Sequence, residues 1–172
     1  MKQKRARFAL VFGLLASVAS AQDTGPLQTH LITPCRWLDT RIPGCVTGGK
    51  CVQGPFRDGR MRAYLVQGVA ECSGGSLERP IPLGAQGLML TVAAVEPTGP
   101  GFLAIYDPST PRPLFASMTF GPGGSSSAVT VKLGPGDWLP GGPLPRDLGI
   151  YASIKDGGTV HLVVDIVGYL MP

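Results

Sequence analysis

Residues 160–170, VHLVVDIVGYL, form the stretch that decides the fold. Strict alternation along it puts an entirely apolar set on one face: Val160, Leu162, Val164 and Ile166. The other face carries a mixed set: His161, Val163, Asp165, Val167 and Tyr169. The pattern predicts a strand with one face in a core and a carboxylate among valines on the other.

Seven more short apolar runs precede this strand, at residues 30–33, 62–69, 88–95, 102–106, 114–120, 128–133 and 149–154. Turn sequences such as PTGPG at 97–101 and GPGD at 134–137 separate them. In 88–95 the alternation predicts one face with Leu88 and Val92 and a second face that is also mostly covered. No helical period follows residue 21, so we expect an antiparallel two-sheet β-sandwich of about eight strands, with a closed β-barrel as the alternative.

The first 21 residues have the three parts of an export signal. Basic residues open the chain, an apolar run covers 8–18, and small residues end at Ala21. The apolar run is about half the length that a membrane-spanning helix needs. We expect cleavage after Ala21, a flexible stretch at 22–28 and a single domain at 29–172. No transmembrane segment would remain, and the protein would reach the extracellular space, the cell surface or the periplasm.

Removing the signal also changes the charge. The chain has 15 Lys and Arg against 11 Asp and Glu, and four of the basic residues lie in the signal, which leaves 11 against 11. The mature chain has no Lys/Arg cluster, so the electrostatic attraction that dominates nucleic-acid binding is missing. Nucleic acid is therefore not an expected partner.

All four cysteines, Cys35, Cys45, Cys51 and Cys72, follow the signal. In an oxidising compartment an even number of cysteines predicts disulfides, with three pairings open to four residues. Pairing Cys35 with Cys72 and Cys45 with Cys51 nests a small loop inside a larger one, and we favour it. Zinc is disfavoured because the spacing lacks paired C-x2-C knuckles.

Two motifs carry a resemblance to a family of secreted bacterial β-domains. Residues 33–41, TPCRWLDTR, are similar to the opening TPCRLLDTR-like stretch of that family, and residues 161–170, HLVVDIVGYL, to its closing THLVVDVxGYF-like stretch. The resemblance covers nearly all of residues 30–171. It implies an accessory module without activity of its own, and it also implies that Cys35 pairs with Cys72.

This chain departs from the family pattern in its middle. Where the family has an Asn-rich SNLNF-like stretch, residues 116–120 read ASMTF, and a following Asn is replaced within Ser125-Ser126-Ser127. Any ligand that those Asn side chains bind in the family is in doubt here. The segment between Cys45 and Cys51 is not a general family feature either.

Asp165 needs a partner, since an unpaired buried charge costs several kcal/mol. Arg41 and Arg36 of the opening motif are the candidates. We predict that the first and last segments of the domain are neighbours and that Asp165 and Arg41 form a buried structural ion pair.

The residues do not assemble a recognisable catalytic or metal site. The two histidines, His30 and His161, are far apart in sequence; His161 and Asp165 are about 13 Å apart along a strand. No G-x-S-x-G turn is present. The aspartates that we place in turns also lack calcium-loop spacing; they are Asp107, Asp137, Asp147 and Asp156. We expect no catalytic residue, no metal and no cofactor, with a small secreted hydrolase as the weakest hypothesis.

Two non-enzymatic functions remain. One is a module that binds a glycan or another cell-envelope component through exposed aromatic residues; the leading candidates are Trp138 and Tyr106, whereas Trp37 and Phe102 are expected in the core. The other is a surface or assembly subunit that contacts another protein through sheet edges. Exposed aromatic residues along a groove would favour the first function, and a long uncovered edge strand would favour the second.

Overall fold

The computed structural model describes residues 26–42, 54–68, 81–134 and 147–172. They form nine strands: β1 (Gln28–Asp39), β2 (Phe56–Arg57), β3 (Arg60–Tyr64), β4 (Gly87–Val95), β5 (Gly101–Tyr106), β6 (Met118–Phe120), β7 (Ser125–Lys132), β8 (Leu148–Ile154) and β9 (Thr159–Met171). A 3-10 turn, Lys155–Gly157, joins β8 to β9. Within these ranges, no helix is both long enough and apolar enough to span a bilayer.

The strands build two antiparallel sheets. The first has the order β1-β9-β4-β7, with β2 pairing with the start of β9, and the second has the order β3-β8-β5-β6. Neither sheet closes on itself, which confirms the predicted β-sandwich over the barrel. The predicted contact between the first and last segments is also confirmed, because β1 pairs with β9.

The core lies between the two sheets and follows the alternation in the sequence. The inward residues of β4, β8 and β9 are buried, among them Leu90, Ile150 and Val164. The second face of β4 behaves differently from our expectation, since Thr91 is exposed and Met89 is only half-buried. A two-layer sandwich covers one face of each sheet, so the outer face of β4 remains open to solvent.

A β-bulge in β9 corrects the predicted faces of the closing motif. Leu90 pairs with Ile166 and Met89 with Gly168, so Val167 is an extra residue on β9. Beyond it the side chains change faces, and Tyr169 packs against the core instead of lying beside Asp165. Its ring stacks on His30 of β1, with 5.0 Å between the centroids.

β1 is longer than the predicted 30–33 and runs through the opening motif to Asp39. Pro34 has no N–H to donate, and the register with β9 shifts between Leu31 and Cys35 and again between Arg36 and Leu38. Among the described strands, β1 pairs with β9 alone, and an edge strand tolerates a proline. Trp37, at the second irregularity, is buried in the core as expected.

The predicted strand at 114–120 is mostly wrong. Only Met118–Phe120 is a strand, while Leu114 is fully exposed and Phe115 is 72% exposed. Pro111 and Pro113 cannot donate ladder hydrogen bonds, and the chain leaves the sheet before it reaches β6. An apolar segment therefore lies at the surface.

Several predictions fall on residues outside the described ranges. These are the export signal, Trp138 and three of the cysteines, Cys45, Cys51 and Cys72. Cys35 lies on the core side of β1 opposite Ile166 and has no free thiol.

Gly168 sits beside the bulge because no larger residue fits. A Cβ atom there would lie 2.7 Å from the carbonyl oxygen of His30. We expect Gly168→Ala to lower the free energy of unfolding by about 1–3 kcal/mol, measured by urea denaturation. Gly123→Ala is the control, since a Cβ at Gly123 meets nothing within 4 Å. Equal stability of the two variants would contradict the described packing of β1 on β9.

Candidate functional site

Asp165 pairs with Arg36, not with the predicted Arg41. Arg36 is opposite Asp165 in the β1–β9 register, and its guanidinium donates through Nε to Oδ1 and through Nη2 to Oδ2, the latter at 3.2 Å. Arg41 lies beyond the end of β1, where Nε and Nη2 donate to Asp39 at 2.9 and 2.7 Å. The pair is also only partly buried, not fully buried as predicted: 38% of the Arg36 side chain and 27% of the Asp165 side chain are exposed.

Asp39 connects the two arginines. Its Oδ2 lies 3.6 Å from Nη1 of Arg36 and 2.7 Å from Nη2 of Arg41. The hydrogen bond from Arg41 holds the pKa of the Asp39 carboxyl below its ordinary value, although burial acts in the opposite direction. The hydrogen bond to Asp165 raises the pKa of Arg36. Two carboxylates and two guanidiniums thus balance one another on the outer face of the first sheet.

Thr40 fastens the end of the opening motif to the closing motif. Its N–H donates to the carbonyl oxygen of Leu162 at 3.0 Å, and its Oγ1 accepts from the N–H of Leu162 at 2.9 Å. The same Oγ1 lies 3.0 Å from Nδ1 of His161. The imidazole therefore has a hydroxyl neighbour instead of a carboxylate, which gives it a structural contact.

Asp147 has a structural role that the sequence did not reveal. We grouped it with the turn aspartates, but it is completely buried. Its two carboxylate oxygens accept from the backbone N–H groups of Val66 and Gln67, each at 2.8 Å. Burial raises the pKa of this carboxyl in spite of the two hydrogen bonds. Its sequence neighbours gave no signal, because both partners lie about 80 residues away.

A concave surface lies at the edge of the first sheet opposite β1, between β7 and residues 107–117. We call it the Tyr106 groove; its volume is about 370 Å³. Its lining residues are Ile105, Tyr106, Asp107, Thr110, Pro111, Pro113, Phe115, Ser117, Val129, Thr130, Val131 and Lys132. Apolar and aromatic side chains dominate, and Lys132 is the one cation among the lining residues.

The loop that forms one wall of the groove is held at both ends. Asp107 Oδ1 accepts from the N–H and hydroxyl of Ser109 at 2.9 and 2.6 Å, and the Asp107 carbonyl accepts from Thr110. At the far end, Ser117 Oγ accepts from the N–H of Ile105 at 2.8 Å. Between them, the Arg112 guanidinium lies 4.0 Å from the centre of the Tyr151 ring. These contacts preform the wall.

The opposite wall is the edge of the first sheet. The N–H of Leu133, just after β7, donates to the carbonyl oxygen of Gln86, so these two residues form a hydrogen-bonded pair. In an antiparallel ladder, hydrogen-bonded pairs alternate with non-hydrogen-bonded pairs. The odd-numbered residues of β7 therefore bond to β4, and the N–H and C=O groups of Ala128, Thr130 and Lys132 point away from it. Among the strands that the structure describes, none pairs with that edge.

The structure brings one of the two predicted aromatic residues to this groove. Tyr106 is half-buried in the wall, while Trp138 is outside the described ranges. Phe102, expected in the core, is half-buried on the second sheet, 6.2 Å from the ring of Tyr151. Phe115 and Lys132 were missed. The sequence signal for this loop was the pair Pro111 and Pro113, because neither residue has an N–H that could join a β-ladder.

No group of three or more His, Cys, Asp or Glu side chains in the described part of the chain is placed to hold a metal ion. The comparisons with known proteins add no relative. No family model, curated protein or solved structure matches the chain. The resemblance to secreted bacterial β-domains stays a prediction.

The Arg36–Asp165 pair can be tested by mutation. We expect Asp165→Asn to lower the free energy of unfolding at neutral pH by about 1 kcal/mol, because a bidentate but partly solvated pair is lost. Urea denaturation measures the change. Asp156→Asn in the exposed 3-10 turn is the matched control, since Asn tolerates its positive φ of 60°. A loss no greater than that of the control would contradict a stabilising pair.

Proposed function

We propose that this protein is a secreted, non-enzymatic binding module of the cell exterior whose ligand lies in the Tyr106 groove. The observation that carries the proposal is the preformed concave wall of aromatic and proline side chains beside an open sheet edge. Ligand sites are typically concave, mostly apolar and formed before the ligand arrives. Phe115, 72% exposed at this groove, adds an apolar contact that the fold itself does not use.

The polar groups elsewhere support binding over catalysis. Asp39 and Asp165 are neutralised by arginines, Asp147 holds two backbone N–H groups, and His161 contacts a threonine hydroxyl. The groove lining contains no imidazole and no thiol. Its only carboxylate, Asp107, has one oxygen held by Ser109.

Export and disulfides belong to the same proposal. The three-part leader at residues 1–21 supports secretion. Cys35 has no free thiol and faces the core, which supports a disulfide there. We propose Cys72 as its partner and a second bridge between Cys45 and Cys51, so that the module withstands an extracellular environment.

A specific observation favours the second candidate function, assembly with another protein. β7 is eight residues long and has an uncovered edge in the described structure. Such an edge presents backbone donors and acceptors to a polypeptide. A protein is therefore the alternative to a glycan as the ligand of this groove.

The test is co-sedimentation of the secreted protein, in oxidised form, with cell envelopes and with insoluble polysaccharides. We expect Phe115→Ala to weaken binding at least about tenfold, since a few exposed aromatic anchors dominate most interfaces. Its thermal stability should be unchanged because the side chain is mostly exposed.

Leu83→Ala is the matched control, because Leu83 is 78% exposed and does not line the groove. It should sediment like the unmodified protein. If Phe115→Ala and Leu83→Ala sediment equally well, the groove is not the ligand site. If nothing sediments in any form, attachment to envelopes and polysaccharides is wrong.

A further inference from the structure

The free backbone edge of β7 indicates which class of ligand the groove binds. The backbone of Thr130 and Lys132 faces the groove side of β7, away from β4. Their free N–H and C=O groups repeat every two residues, which is the period of an extended polypeptide. A peptide laid beside them can form ladder hydrogen bonds whatever its side chains are.

The hydroxyl groups of the groove argue against a glycan. A sugar needs several side-chain donors and acceptors, but Thr110 Oγ1 already donates to the Asp107 carbonyl at 2.8 Å. Ser117 Oγ already bonds to the backbone of Ile105 at 2.8 Å. Two of the four hydroxyls in the lining therefore already form hydrogen bonds within the fold. Only those of Tyr106 and Thr130 are left for a sugar, and the rest of the lining is mainly apolar.

The apolar side chains suit alternate residues of a strand. Pro111, Pro113 and Phe115 stand opposite β7 and line the groove together with Tyr106. The β7 part of the lining spans four residues, 129–132, or about 13 Å of strand. That length admits about four residues of an extended peptide, two of which would turn their side chains toward this wall.

The accessible charge of the groove determines which peptide side chains it favours. Lys132 is exposed and has no carboxylate within salt-bridge distance among the described residues. Asp107 is buried, and the hydrogen bonds from Ser109 occupy its Oδ1. The accessible charge is therefore positive and complements an acidic side chain.

We propose that the groove binds an extended, acidic polypeptide segment, which adds to the free edge of β7 as an additional strand. The proposal rests on the proposed function, because it names the ligand class of the same groove. Backbone hydrogen bonds to Thr130 and Lys132 align the segment, apolar side chains contact Tyr106 and Phe115, and a carboxylate pairs with Lys132.

The probes are fluorescently labelled ten-residue peptides in which valine alternates with glutamate, serine or lysine, and binding is followed by fluorescence anisotropy. We expect the glutamate peptide to bind at least about tenfold more tightly than the lysine peptide. A version of the glutamate peptide with a central proline should lose binding, because proline cannot complete the ladder.

Variants of the protein separate backbone pairing from side-chain contact. Thr130→Pro removes an N–H that faces away from β4 and should abolish binding, while Thr130→Ala keeps that N–H and should bind normally. Ser126→Pro is the control at the part of the same edge that does not line the groove. Lys132→Glu, at an exposed position, should reverse the preference toward the lysine peptide.

Three results would overturn the proposal. The first is equal binding of all three peptides, and the second is no binding of any. The third is self-association that Thr130→Pro abolishes without peptide binding, which would make a second copy the occupant. If peptides fail but soluble oligosaccharides bind with dependence on Phe115, the groove remains the ligand site and only the peptide proposal is lost. If Phe115→Ala changes the binding of neither peptides nor oligosaccharides, the proposed function fails as well.

Discussion

The pairing of β1 with β9 is the constraint on which the rest of the structure depends. β9 is thirteen residues long and pairs with β1 on one side and with β4 on the other, while β2 joins its beginning. The two ends of the domain are therefore adjacent strands of one sheet. Arg36 meets Asp165, Thr40 meets Leu162, and His30 stacks on Tyr169 only because that pairing brings them together.

Much of the fold was predictable because alternation is a local property of the sequence. The buried faces of β4 and of β9 up to Ile166 follow directly from the order of apolar residues. The bulge at Val167 has no such local signature, so Tyr169 was placed on the wrong face. The predicted partner of Asp165 was wrong for a related reason. Choosing between Arg36 and Arg41 requires the register of two strands that are about 130 residues apart in the sequence.

The candidate site was less predictable than the fold. Tyr106 could be named as an aromatic residue at a strand end, but a groove needs two walls, and its second wall is β7. Residues 114–116 looked like the start of a strand because they are apolar, although they are the exposed part of a loop that Arg112 and Asp107 hold in place. Surface exposure of apolar residues cannot be distinguished from burial by composition alone.

The central claim is that β9 organises the fold and leaves the edge of β7 open to a ligand. Amide hydrogen exchange read residue by residue along both strands tests it most directly. The account predicts the slowest exchange at Val163 to Ile166, where β9 is flanked on both sides, and an alternation in β7, with Val129 and Val131 protected and Thr130 and Lys132 exchanging rapidly. Equal protection of all four β7 amides would show that the edge is already covered and would contradict the account.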